Sequence, residues 1–79
     1  MPINNMKYYY TGVQHLADGT EVGIPLVAYD SVDAYLAKYH QEMSYALATD
    51  SMVGLTTVVF DSTGVIVLQD HWMREVTEE

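Results

Sequence analysis

With 79 residues the chain has room for one domain, and a domain of this size buries only about 60% of its unfolded surface, so its core must be thin. The absence of cysteine excludes disulfide staples, thiolate metal clusters and thiol redox chemistry, while 49% hydrophobic and 18% charged residues exclude a disordered polar chain. A balance of 3 Lys and Arg against 11 Asp and Glu disfavours direct binding to nucleic acid or an anionic membrane, and leaves proteins as the expected partners.

Residues 6–16 contain Tyr8, Tyr9, Tyr10, Thr11 and Val13, an aromatic and β-branched set that predicts a strand. Asp18-Gly19 reads as a turn. Beyond it Val22, Ile24, Leu26 and Ala28 recur at every second position, the period of a second strand, so the two form a hairpin. Pro25 has no amide to donate, which places that strand at a sheet edge or at a bulge.

Asp30 and Ser31 are candidate helix caps, because Val32, Tyr35, Leu36, Tyr39, Met43, Ala46 and Leu47 follow at spacings of three and four. Those spacings predict a helix over 32–48. Asp33 lies near its positive end, and the helix is expected to stop near Thr49-Asp50-Ser51. Residues 53–60, rich in Val and Thr, predict a third strand. The sequence Asp61-Ser62-Thr63-Gly64 suits a type I turn, and residues 65–73 read as the fourth strand. The ordered part is expected to span about 6–74, with the acidic tail 75–79 fraying.

The expected fold is therefore a two-layer α+β domain of order β-β-α-β-β, with a four-stranded antiparallel sheet and one helix on one face. One helix covers one face only. By alternation, Tyr8, Tyr10, Ile24, Leu26, Val58, Phe60, Ile66 and Leu68 are expected under the helix, leaving Tyr9, Val13, Val27, Tyr29, Val65 and Val67 opposite. With Trp72 and Tyr9 as aromatic anchors, this second set is the candidate interface for a homodimer or another protein. Three successive tyrosines give no alternation, so the first strand's register stays open.

No catalytic, cofactor or metal signature stands out. His15, His40 and His71 come from three elements and, with Glu42 or Asp70, have no spacing that demands a metal; His40-Gln41-Glu42 lacks the cysteines of a deaminase site. Asp61-Ser62-Thr63-Gly64 differs from an aspartic-protease loop in the position of its glycine. No cofactor is expected, and an enzyme would need a site assembled across a dimer. There is no apolar run long enough to span a bilayer and no signal-peptide pattern at the start, so the expected location is the cytoplasm.

In Met6-Lys7-Tyr8-Tyr9-Tyr10, in Leu36-Ala37-Lys38-Tyr39-His40 with Ala46, and in Val58-Val59-Phe60 through Gly64-Val65-Ile66-Val67-Leu68, the chain resembles small uncharacterised proteins. Those proteins are encoded among tail and lysis genes of bacteriophages and prophages of Gram-positive bacteria. The resemblance implies an accessory or structural phage role in a bacterial host cell, with virion association among its forms. An acidic counter-defence inhibitor, occupying a basic site on a host nuclease or regulator, is the alternative; it expects Asp18, Glu21, Asp30, Asp33, Glu42 and Asp50 to cluster.

Overall fold

The computed structural model describes residues 6–75, so the expectations for the leader and for most of the acidic tail lie outside the described residues. Five elements follow in order: β1 (Tyr8–Leu16), β2 (Glu21–Tyr29), α1 (Val32–Ala48), β3 (Met52–Asp61) and β4 (Ile66–Met73). The strands form one antiparallel sheet of order β2-β1-β3-β4, which makes the expected α+β architecture a fact of the structure.

Both hairpins close in the same way. Leu16 and Asp61 each donate a backbone amide to a residue four positions on, Thr20 (2.8 Å) and Val65 (2.9 Å). Gly19 and Gly64 donate back to Leu16 (3.0 Å) and Asp61 (2.9 Å). Each glycine has φ of 90°, the left-handed conformation that a Cβ would strain, so the turn chemistry rests on these two residues. Asp18 and Asp61 complete the loops by accepting the amides of Thr20 (2.8 Å) and Thr63 (2.9 Å). Both carboxylates are held below their ordinary range, Asp18 chiefly by the Thr20 side chain and Asp61 chiefly by the Thr63 hydroxyl, with the amide bonds adding in the same direction.

Ser31 is the helix cap, accepting the Ala34 amide at 3.1 Å, while Asp30 turns outward to pair with Lys7. The helix lays Tyr35, Leu36, Tyr39, Met43 and Ala46 against the sheet. Val32 and Leu47, expected on the same stripe, are exposed because they lie at its two ends. The core joins Tyr35 and Ala46 to Tyr10, Ile24, Met52, Leu55 and Val59. Tyr8, Leu16, Tyr29, Leu68 and Trp72 pack around its margin.

The register corrects the expected sheet faces. Tyr10 pairs with Val59, Gly12 with Thr57 and Gln14 with Leu55, so β3 turns its odd-numbered residues from Leu55 to Val59 towards the helix. Val58 and Phe60 consequently face the open side with Tyr9 and Thr11. On β2 the pairing jumps from Tyr10–Val27 to Gly12–Ile24, which sets Pro25 and Leu26 against Thr11 alone. That bulge reverses the strand's alternation. Val27 and Tyr29 thereby join the helix-side register instead of opposing it, and Leu26, expected beneath the helix, is 54% exposed. Gly12 lies at the crowded side of this bulge; a Cβ there would stand 2.2 Å from the Thr56 carbonyl oxygen.

Candidate functional site

The uncovered face of the sheet carries two features that its strands build jointly. The first is apolar. Tyr9 of β1 and Phe60 of β3 are cross-strand partners with stacked rings 5.3 Å apart, and the Thr11–Val58 and Val13–Thr56 pairs continue the same face. Tyr9, Val13, Val58 and Phe60 are each partly exposed.

The second is a polar chain at the other end of that face. Glu21 Oε2 lies 3.0 Å from His15 Nδ1, His15 Nε2 lies 2.9 Å from Thr56 Oγ1, and Thr56 Oγ1 lies 2.9 Å from His71 Nδ1. The four residues come from all four strands. Thr56 on the central β3 is the direct partner of His71 on β4, and His15 reaches it diagonally from β1. Gly54 makes room, because a Cβ there would stand 2.4 Å from Met73 Sδ and 3.1 Å from His15 Cδ2.

No family model matches the chain, and no curated protein or solved structure matches it. Its functional reading therefore rests on this geometry. The order carboxylate, imidazole, hydroxyl is also that of an acyl-transfer triad. Here the hydroxyl lies on a central strand paired on both sides, so the amides of that strand are engaged in the ladder and not aimed at a developing oxyanion. The His71 contact also occupies the oxygen that would attack.

Of the residues expected at an interface, the structure brings Tyr9 and Val13 together on the open face. Val27 and Tyr29 lie on the other register, and Trp72, opposite Leu55, packs against the core. Val65 belongs to the β3–β4 turn, and Val67 is the extra residue of a bulge between the Val59–Leu68 and Phe60–Ile66 pairs. Thr11, Thr56, Val58, Phe60, His15 and His71 take the places of these five. Sequence alternation missed the β3 residues because Leu55 through Phe60 is almost continuously apolar or β-branched, with no polar beat to fix its parity.

Other candidate chemistry is dispersed. His40 is exposed on the helix, away from the polar chain, and no group of three metal-ligating side chains assembles among the described residues. Asp70 takes a hydrogen bond from the Tyr39 hydroxyl across the helix–sheet junction. That bond, with burial and the Asp70 charge added, pushes the Tyr39 phenol up to about 12. A shallow cavity of ≈ 220 Å³ lies between Pro25, Gln14 and the helix residues Lys38 and Glu42. It falls below the roughly 300 Å³ at which ligand pockets begin, and Glu42 already bridges Gln14 and Lys38 across it, at 3.3 Å each. No described helix is long and apolar enough to cross a membrane.

The acidic side chains of the described residues do not form a single cluster. Asp18 and Asp50 sit on neighbouring turns at one end, where Ala17 donates to Ser51, while Asp30 and Asp33 sit at the helix start and Glu42 lies between sheet and helix. A helix of 17 residues, about 25 Å long, separates the two terminal groups.

Proposed function

We propose that the chain is a protein-interaction module whose uncovered sheet face pairs with the same face of a second copy. The observation that carries this reading is the composition of that face. Tyr9, Val13, Val58, Phe60 and Ile66, the β4 partner of Phe60 that alternation had placed under the helix, belong to its apolar part, and Glu21, tied to His15, is the one acidic or basic residue of the Lys, Arg, Asp and Glu types that the described strand registers bring to it. A net charge of -8 would favour a basic partner, but among the strand residues described only Glu21 brings a Lys, Arg, Asp or Glu charge to this face. A largely uncharged aromatic and β-branched surface complements its own copy best.

The dimensions fit a small interface. Four strands about 4.8 Å apart and about eight residues long outline roughly 500 Å². Two such faces stacked about 10 Å apart would bury roughly 1,000 Å², the lower limit for a specific pair. The dispersal of the acidic side chains favours this module over an inhibitor that mimics an extended acidic surface. A small self-pairing domain also suits the accessory role in a phage particle that the sequence resemblance implies.

Substituting Val58→Glu places a carboxylate between Thr11 and Phe60, in the middle of the face. Light scattering is expected to give a dimer for the native chain and a monomer for V58E, with unchanged far-ultraviolet circular dichroism. A native chain that stays monomeric up to its solubility limit sinks the reading.

A further inference from the structure

The direction of every hydrogen bond in the Glu21–His15–Thr56–His71 chain follows from one constraint. An ionised carboxylate only accepts, so His15 Nδ1 must donate to Glu21. A neutral His15 then has an unprotonated Nε2, and the Thr56 hydroxyl must donate to it. With its hydrogen committed, the Thr56 oxygen accepts from His71 Nδ1. All donors thus point from β4 towards β2. His71 Nε2 is the ring nitrogen left over at the exposed end.

Protons change this arrangement at two points. A proton on His15 Nε2 obliges Thr56 to turn its hydrogen away and accept from both rings. A proton on His71 Nε2 places a cation at the exposed end of the face. The two rings are 6.0 Å apart, edge to face, so both additions raise positive charge within one small area. Among the described residues Glu21 is the only carboxylate in ion-pair contact with either ring, and it balances one cation of the two. From β1, Tyr9 is the other titratable group on this side and lies at the far end beside Phe60. From β3 the rings meet only the Thr56 hydroxyl and Gly54. Asp70, next to His71 in sequence, accepts the His71 backbone amide, and its other carboxylate oxygen holds Tyr39 on the covered side.

We infer that this four-residue chain is a proton-sensitive gate on the self-pairing face, releasing the second copy as the histidines become charged. The inference rests on the self-pairing reading. Stacking the face removes His71 from water, and burying a cation without a partner opposes association. Histidine is the side chain type whose charge ordinarily changes between about pH 5 and pH 8. The same protons lower the overall negative charge and so weaken long-range repulsion. That effect acts in the opposite direction and is screened by salt.

The test measures dimer dissociation by analytical ultracentrifugation of the full chain at about pH 7.5 and about pH 5.5, in roughly 0.15 M salt. The native chain is expected to dissociate about tenfold more readily at the lower pH, and His71→Gln, which keeps a donor for Thr56 but takes no proton, is expected to remove the drop whatever its own affinity. Equal association of the native chain at both pH values overturns the gate and leaves the pairing face standing. Monomer at both values overturns both. An undiminished pH drop in H71Q overturns the role of the chain. Imidazole nitrogen shifts measured by nuclear magnetic resonance give an independent reading: His15 protonated at Nδ1 at high pH supports the wiring, and protonation at Nε2 instead overturns it.

Discussion

Tyr39 shows how one side chain couples the helix to the sheet. Its ring packs against the core margin, and its hydroxyl donates to Asp70 on edge strand β4. Because that bond exists only for the neutral phenol, the folded value near 12 exceeds the ordinary value of about 10. The stabilisation is therefore fully present below about pH 10 and is lost as pH rises from there towards 12. Tyr10, fully buried, has its phenol raised chiefly by burial and adds to the loss in the same direction. Tyr39→Phe is expected to lower stability at neutral pH by about 1–2 kcal/mol, since Asp70 loses a donor. The variant should also show a smaller decline between about pH 9 and pH 11.5 than the native chain, measured by urea unfolding. Equal alkaline slopes would show that the bond does not govern the titration.

At the scale of elements, the helix end depends on a residue remote in sequence. The last turn of α1 contains no basic residue, yet its carbonyls receive a cation from outside the helix. Arg74, just beyond β4, donates from Nη2 to the carbonyls of Ala46 (3.0 Å) and Thr49 (3.2 Å) and from Nε to Met52 (3.2 Å). Its guanidinium also lies 5.2 Å from the Trp72 ring. A cation there meets the negative end of the helix dipole and adds charged donors to carbonyls that already accept backbone amides, Ala46 from Thr49 (3.3 Å) and Thr49 from Met52 (3.0 Å). Arg74→Met retains much of the stem packing and removes these bonds; it is expected to cost about 2 kcal/mol in urea unfolding, with Arg74→Lys restoring only part. A cost indistinguishable from zero would mean that water satisfies the carbonyls equally well. Sequence alone did not expose this contact, because a spacing of 28 residues between Ala46 and Arg74 carries no periodic signal. The elements themselves were legible: spacings of three and four over Tyr35, Tyr39 and Ala46 marked the helix, Asp-Gly and Asp-Ser-Thr-Gly marked the turns, and Pro25 marked an edge strand with a bulge. What alternation could not supply was parity. The bulge at Pro25 and the apolar run of β3 decide which residues face outward, and both depend on strand pairing.

At the scale of the molecule, one helix over four strands leaves a domain with a small core and one uncovered face. Among the described residues the seven buried hydrophobic ones all lie between helix and sheet, so the outer face contributes little burial while the chain is alone. Pairing two such faces would extend burial to Tyr9, Val13, Val58 and Phe60 and would tie folding to association. Mass action then makes stability depend on protein concentration, because only the folded chain presents the face. The thermal midpoint of the native chain is expected to rise with concentration, whereas V58E should unfold at a concentration-independent midpoint. The edges of the sheet offer a competing route, since β2 and β4 both end the hydrogen-bonded ladder. Their protection differs: β2 carries Pro25 within its bulge, and β4 carries the extra residue Val67. A Val67→Pro substitution at that edge separates the two routes. If faces pair, V67P retains the concentration-dependent midpoint and V58E loses it; if β4 edges pair, the pattern reverses.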